Sequence, residues 1–271
     1  MSLPPPVPTA RPGWFARSRA LWVLCGWLLA WEALVRLADI PHYTLPAPSL
    51  VLQTLFANFG SLAVSWGFTL KITFGALALA IGGGVLIAGV FALSPRVESV
   101  FLPLAVVLQV TPIVAIAPLL LIYVESTTAA LLLCAWIVAF FPILSNTVVG
   151  LRAADPLLRD LFRLYRATPW QRLRLLLMPS ALPYFMAGVQ VSGGLSLIGA
   201  VTAEMVAGAA GRESGLASRI LEASFRTETP KMFAALLLLV LTGLVIYSAS
   251  NALSRVLLAR WHASAARHTP A

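Results

Sequence analysis

Charge is scarce in this chain. Only 11% of its 271 residues are Asp, Glu, Lys or Arg, against about 25% in soluble domains. A protein so poor in charge cannot cover its surface with polar groups, which excludes an ordinary water-soluble domain. Cysteine is nearly absent too. Cys25 and Cys134 each lie inside an apolar run, which argues against a disulfide framework and for two small packing residues. The three histidines, His42, His262 and His268, are scattered and offer no metal-ligand spacing. None lies inside a long apolar run, and no paired carboxylates occur, so an intramembrane enzyme has no readable nucleophile and base. The two lysines, Lys71 and Lys231, follow Leu and Pro, so the Gly-Lys pair of a phosphate-binding loop is missing.

What is abundant is hydrocarbon. The chain is 59% hydrophobic with a mean hydropathy of +0.89. About 20 apolar residues cross a bilayer as a helix. Six stretches qualify: 20–38, 70–93, 100–123, 128–149, 182–208 and 233–253. The first is too long for the core of a cleaved signal peptide and reads as a retained span. The expected fold class is therefore all-α, a polytopic membrane helical bundle of about six transmembrane helices. Residues 1–19, rich in Pro and small residues, read as a disordered cytoplasmic tail. A single transmembrane domain over 20–258 and a cytoplasmic tail over 259–271 complete the chain. Small residues recur every four positions at Ala76, Ala80, Gly84, Ala88 and Ala92, and again at Gly188, Ser192, Ser196 and Ala200 before Glu204. Such stripes let helix backbones approach in lipid.

The net charge of +9 does not point to nucleic acid, because the basic residues lie between apolar runs and not along one face. Instead they set topology. With six spans, 13 of the 19 basic residues fall on one side, which makes that side the cytoplasm and puts both termini there. Two outer segments, 45–56 and 214–226, read as short amphipathic helices at or re-entering the outer surface. Glu32 and Arg36, four apart, read as an ion pair. Lys71 reads as snorkelling outward.

The densest basic stretch, "DLFRLYRATPWQRLRLLLMPSALP" over residues 160–183, belongs to the cytoplasmic link at about 150–179. Asp155 suits an N-cap and Pro156 the first helical position. Leu157, Leu161 and Leu164 then share a face with Leu158, Phe162 and Tyr165, while Arg159, Arg163 and Arg166 share another. Thr168, Pro169 and Gln171 spell the start of a second helix with a capping box, and Pro179 reads as its end. The segment is thus expected to be helix, turn, helix. A basic loop held to membrane lipid headgroups is the plainer reading. Two capped helices instead suit insertion into a groove on a partner protein.

These residues resemble the cytoplasmic coupling motif of binding-protein-dependent ABC importer permeases, whose pattern is acidic-Ala-Ala, three residues, Gly, nine residues, Ile-x-Leu-Pro. Asp160 stands at the acidic position, with Leu161 and Phe162 at the alanines. Arg166 replaces the Gly, and Leu176, Leu177, Met178 and Pro179 close the motif. With Arg at that position, the turn is expected at Ala167-Thr168. "LPAPS", "FFPILSNTVVGLRAADP", "MPSALPYFMAG" and "AVTAE" extend the resemblance, to the nitrate/sulfonate/taurine-type permeases and to those for pyrimidine precursors, over about 20–262. The resemblance implies a bacterial inner-membrane permease subunit, not an enzyme, that translocates a small solute delivered by an external binding protein. It implies a second permease subunit, in a homodimer, and cytoplasmic ABC ATPase subunits that carry ATP and Mg. Asp160, Leu161, Phe162, Arg163, Arg166, Thr168, Pro169 and Pro179 would then couple to the ATPase. Gln109 and Thr111, beside Pro112, and Glu204, late in the fifth span, are the candidates for lining the path. An ion-coupled secondary transporter is the alternative, with Glu204 as its intramembrane charge. Asn146 and Gln190 are weaker path candidates.

Overall fold

In a computed structural model, residues 14–208 and 214–265 are described, and they form helices with no strand among them. The order is α1 (Trp14–Leu37), α2 (Pro48–Ala57), α3 (Phe59–Leu93), α4 (Pro95–Val110), α5 (Ile113–Tyr123) and α6 (Thr127–Arg152). It continues with α7 (Pro156–Leu164), α8 (Pro169–Arg172), a π-helical turn (Leu173–Leu177), α9 (Met178–Ala207), α10 (Leu216–Phe225) and α11 (Thr229–Ala265). Positions 1–13 and 266–271 of the two expected tails lie outside the described residues.

Among the described residues, four helices are long and apolar enough to cross a membrane: α3, α6, the run through α8 and α9, and α11. The expected third span adds a fifth only as a broken pair, α4 and α5, bent by 98° at Thr111-Pro112. Pro112 lacks the N–H that would continue α4, and the residue before a proline is driven out of helical geometry. Thr111 is accordingly extended, at φ −68° and ψ 123°. The expected first span falls on α1, which is not among those four. Leu21, Trp22, Val23 and Leu24 there are all exposed. α1 is tied to the rest by Trp31, whose ring meets Phe233 on α11 at 6.0 Å, and by Glu32.

The centre is α6 packed on α9, with α3 against both. The small-residue stripes do this. Ala76, Ala80, Gly84 and Ala88 on α3 and Gly188, Ser192, Ser196 and Ala200 on α9 are all buried. At Gly188 a Cβ would sit 2.9 Å from the Pro142 carbonyl oxygen of α6, so only glycine permits that approach. Polar bonds between spans add to the packing. Ser192 Oγ donates to the Ala139 carbonyl at 2.7 Å, and Trp66 Nε1 donates to Thr242 Oγ1 at 2.7 Å. In lipid such bonds stabilise by about 0.6–2 kcal/mol each.

The second helix of the basic segment does not stop at Pro179. It passes through the π turn into α9 and forms one helical run, Pro169–Ala207. The turn explains how. Met178 N–H bonds the Leu173 carbonyl, five residues back, and the widened register accommodates the N–H that Pro179 lacks.

Candidate functional site

The basic segment is a knob with a fixed base and a bare face. Asp155 caps α7 by accepting from Leu157 N at 2.8 Å. The capping box at α8 is complete: Gln171 N donates to Thr168 Oγ1, and Thr168 N donates to Gln171 Oε1. Arg159 Nη2 reaches back to the last carbonyls of α6, at 3.2 Å from Leu151 O and 2.5 Å from Arg152 O. That satisfies carbonyls the end of α6 leaves open. Arg152 itself pairs with Glu98 on α4. Leu173 of the π turn is buried with Phe91, Leu144 and Leu151, and Leu176 is buried as well.

Above this base, α7 buries none of its side chains. Leu157, Leu164 and Tyr165 are about four-fifths exposed, and Trp170 is exposed beside them. Asp160 and Arg163 face solvent as a loose pair at 3.5 Å. Of the expected coupling residues, only Phe162 is partly covered in the stretch from Asp160 to Arg166.

The turn between α7 and α8 falls at Arg166 and not at Ala167-Thr168. Arg166 has φ +50°, the left-handed conformation for which glycine is the usual residue. Ala167 N bonds Phe162 O, and Arg166 N bonds Arg163 O, both at 2.9 Å, which is the Schellman closure of a helix. Arginine therefore occupies the position where the motif has Gly, and it adopts the geometry that Gly would. Helix closure here dictates the conformation, and the side chain tolerates it.

A second site lies at the far end of α9. Pro179 and Glu204 are about 38 Å apart along that helix at 1.5 Å per residue. Glu204 is fully buried. Thr69 Oγ1 on α3 donates to Glu204 Oε1 at 2.9 Å, and Ala217 N donates to Oε2 at 3.0 Å. Leu216 N donates to Thr69 Oγ1 at 2.9 Å. These two amides open α10, whose N-cap is Gly215 and offers no side chain. Thr69 and Glu204 thus supply from neighbouring spans the cap that α10 lacks, with the carboxylate at the positive end of its dipole. A Cβ on Gly215 would overlap the Glu204 carboxylate. Beyond the cap, Arg219 Nε donates to Ser65 Oγ at 3.0 Å and pairs with Glu222 at 2.7 Å.

A similar device holds α2. Its N-cap, Ala47, has no side-chain bond, and Glu32 on α1 accepts from Ser49 N at 3.0 Å and Ser49 Oγ at 2.7 Å. The expected Glu32–Arg36 pair is present at 2.6 Å. Gln109 and Thr111 lie apart from both sites, exposed at the break between α4 and α5. Thr111 Oγ1 donates to its own helix at Val107 O. Asn146 Nδ2 is turned back onto Pro142 O at 2.8 Å. Thr69, Gly215 and the cluster of Arg152, Arg159 and Glu98 were not picked out by sequence. A glycine just before an apolar helix was the one available sign.

Comparison with known proteins gives these sites a context. Residues 80–262 match the family described as binding-protein-dependent transport system inner membrane component. A probable ABC transporter permease protein of Haemophilus influenzae is 32% identical over 81% of this chain and 88% of its own. Riboflavin transport system permease protein RibX of Chloroflexus aurantiacus is 33% identical over 88% of this chain and 87% of its own. Formylaminopyrimidine transport permease protein ThiX of Halalkalibacterium halodurans is 30% identical over 85% and 91%. The match spans α6, the whole knob and α9, so this chain belongs to the family of inner-membrane permease subunits of binding-protein-dependent ABC importers, which work with a separate ATPase and a substrate-binding protein.

Proposed function

We propose that the knob formed by α7 and α8 is where cytoplasmic ABC ATPase subunits grip this permease and move its helices. One observation carries the reading: α7 is doubly capped and rigidly based, yet leaves its apolar face bare except at Phe162. Exposed Leu and Tyr side chains on a fixed helix suit a groove on a partner. α8 continues into α9 as one helical run, so a pull on the knob reaches the outer end of the bundle without crossing a loop. ATP and Mg bind the partner, and Asp160, Arg163 and Arg166 present the polar edge of the contact.

A second copy of this chain completes the membrane unit, in the bacterial inner membrane, with both termini in the cytoplasm, which takes α1 as a sixth crossing beside the five of the bundle. The excess of arginine on the knob side supports that orientation. The solute is small. The names of two relatives, for riboflavin and for formylaminopyrimidine, support a pyrimidine-type heteroaromatic compound ahead of nitrate, taurine or another sulfonate. Gln109 and Thr111, exposed at a break in the membrane-spanning pair, are the path candidates least engaged with this chain. Nothing in the comparisons supports the ion-coupled alternative, and Glu204, the charge it needs, is already held by Thr69 and Ala217.

Purification from native membranes tests this. An ATPase co-elutes with the wild-type chain and is lost when Asp160 and Arg163 are both replaced by Ala, and a reporter fused beside Trp170 is cytoplasmic. Solute uptake by the chain alone, insensitive to ATP depletion, or an extracellular reporter would end the proposal.

A further inference from the structure

Beneath the knob, a cavity of about 250 Å³ opens between α3, the start of α4, the end of α6 and the π turn. Arg152, Arg159, Arg172 and Glu98 line it together with apolar residues such as Ala88 and Phe91. Three guanidinium groups meet one carboxylate, an excess of two positive charges. Arg152 is paired with Glu98, and Arg159 spends Nη2 on the end of α6. The Nε–H groups of both Arg159 and Arg172 are buried and unpartnered. Buried donors of this kind are costly, and guanidinium forks match the several acceptor oxygens of a phosphate.

The apolar walls say what carries the phosphate. Free phosphate gains nothing from Phe91 or Ala88. Two apolar grooves adjoin the cavity. One, of about 220 Å³, shares Leu151 with it and runs along Val85 and Phe185. The other, of about 460 Å³, shares Phe91 and runs along Phe101 and Leu104. A charged head joined to two hydrocarbon chains fits this arrangement, and basic pockets between membrane helices on the cytoplasmic side take such heads.

We propose that this cavity binds one anionic phospholipid, with the headgroup phosphate on Arg159 and Arg172 and the acyl chains in the two flanking grooves. The lipid then joins the base of the knob to α3 and α4. The site rests on the membrane embedding of the chain and is independent of which solute is carried.

The full chain, purified in maltoside detergent, is titrated with dioleoylphosphatidylglycerol, dioleoylphosphatidylcholine and inorganic phosphate, and retained lipid is counted by native mass spectrometry. The anionic lipid binds at least about tenfold more tightly than the zwitterionic one, and millimolar phosphate does not displace it. Replacing both Arg159 and Arg172 by Gln abolishes that preference. Glu98→Gln, which removes the competing carboxylate and frees Arg152, strengthens it, a gain that misfolding cannot produce. Equal retention of the two lipids, or a preference that survives in the double variant, overturns the proposal. So does displacement by phosphate, which would mark a soluble-anion site. Loss of the ATPase without loss of lipid would assign the arginines to the partner and overturn it equally.

Discussion

Glu204 on α9 caps the N-terminus of α10 at Ala217, accepting its amide at 3.0 Å, while Thr69 on α3 donates to the same carboxylate at 2.9 Å. Three helices therefore meet on one buried side chain. Glu204→Ala leaves the Ala217 amide without its acceptor and leaves the Thr69 hydroxyl only the Ser65 carbonyl at 3.3 Å, and an orphaned buried amide costs about 1–3 kcal/mol. Glu204→Gln keeps an acceptor oxygen and loses less. Denaturant unfolding in detergent should rank wild type above the Gln variant and the Gln variant above Ala. An Ala variant as stable as wild type would mean that the cap contributes nothing.

Gly215 has to remain glycine for reasons of space and not of backbone geometry. Its φ of −83° and ψ of −171° suit any residue, but a Cβ would overlap Glu204. Gly215→Ala is therefore expected to act through Glu204, by pushing the carboxylate off Ala217. Its destabilisation and that of Glu204→Ala should be sub-additive in the double variant, with a coupling of about 0.5–3 kcal/mol. Full additivity would show that the two positions act separately.

What was legible in the sequence was mostly local. Asp155 and Thr168 announce their caps within three residues, and the structure has both. The apolar runs and small-residue stripes announce a packed bundle. The bend was legible only as a proline: Pro112 can break the helix, but nothing in the hydropathy of the surrounding run sets its angle at 98°. The continuity across Pro179 was not legible, because a proline ordinarily ends a helix and only the π turn avoids that. The partners of Glu204 were hidden because Thr69 lies 135 residues away. The cap of α10 was hidden because its N-cap residue has no side-chain acceptor, the same reason that Ala47 gave no hint of Glu32.

Arg166 at φ +50° carries a conformational cost that glycine would not, about 1–2 kcal/mol. Glycine's greater freedom in the unfolded chain returns part of that. Arg166→Gly is thus expected to stabilise the knob by roughly 0.5–1 kcal/mol, while Arg166→Val, β-branched at a left-handed position, destabilises it. Thermal unfolding reads the sign. Co-purification of the ATPase reads whether the lost guanidinium matters for docking, because a variant that is more stable yet binds more weakly separates the two roles.

Acid should loosen α10 before it unfolds the bundle. Arg219, 2.7 Å from Glu222, holds that carboxyl below the usual carboxylate range, with Arg226 on its other oxygen at 2.9 Å. A carboxyl whose pKa is lowered on folding contributes stability that is complete above its unfolded value, about 4.3. That contribution is lost as pH falls through the folded value. Glu222→Gln lacks it at every pH. The difference in melting temperature between wild type and Glu222→Gln should be constant near neutrality, shrink below about pH 4 and vanish in stronger acid. Because Arg226 is largely exposed, added salt should reduce the neutral-pH difference as well. A difference that grows as the solution is acidified would mean that Glu222 is held in its protonated form, and the pairing with Arg219 would then have to be abandoned.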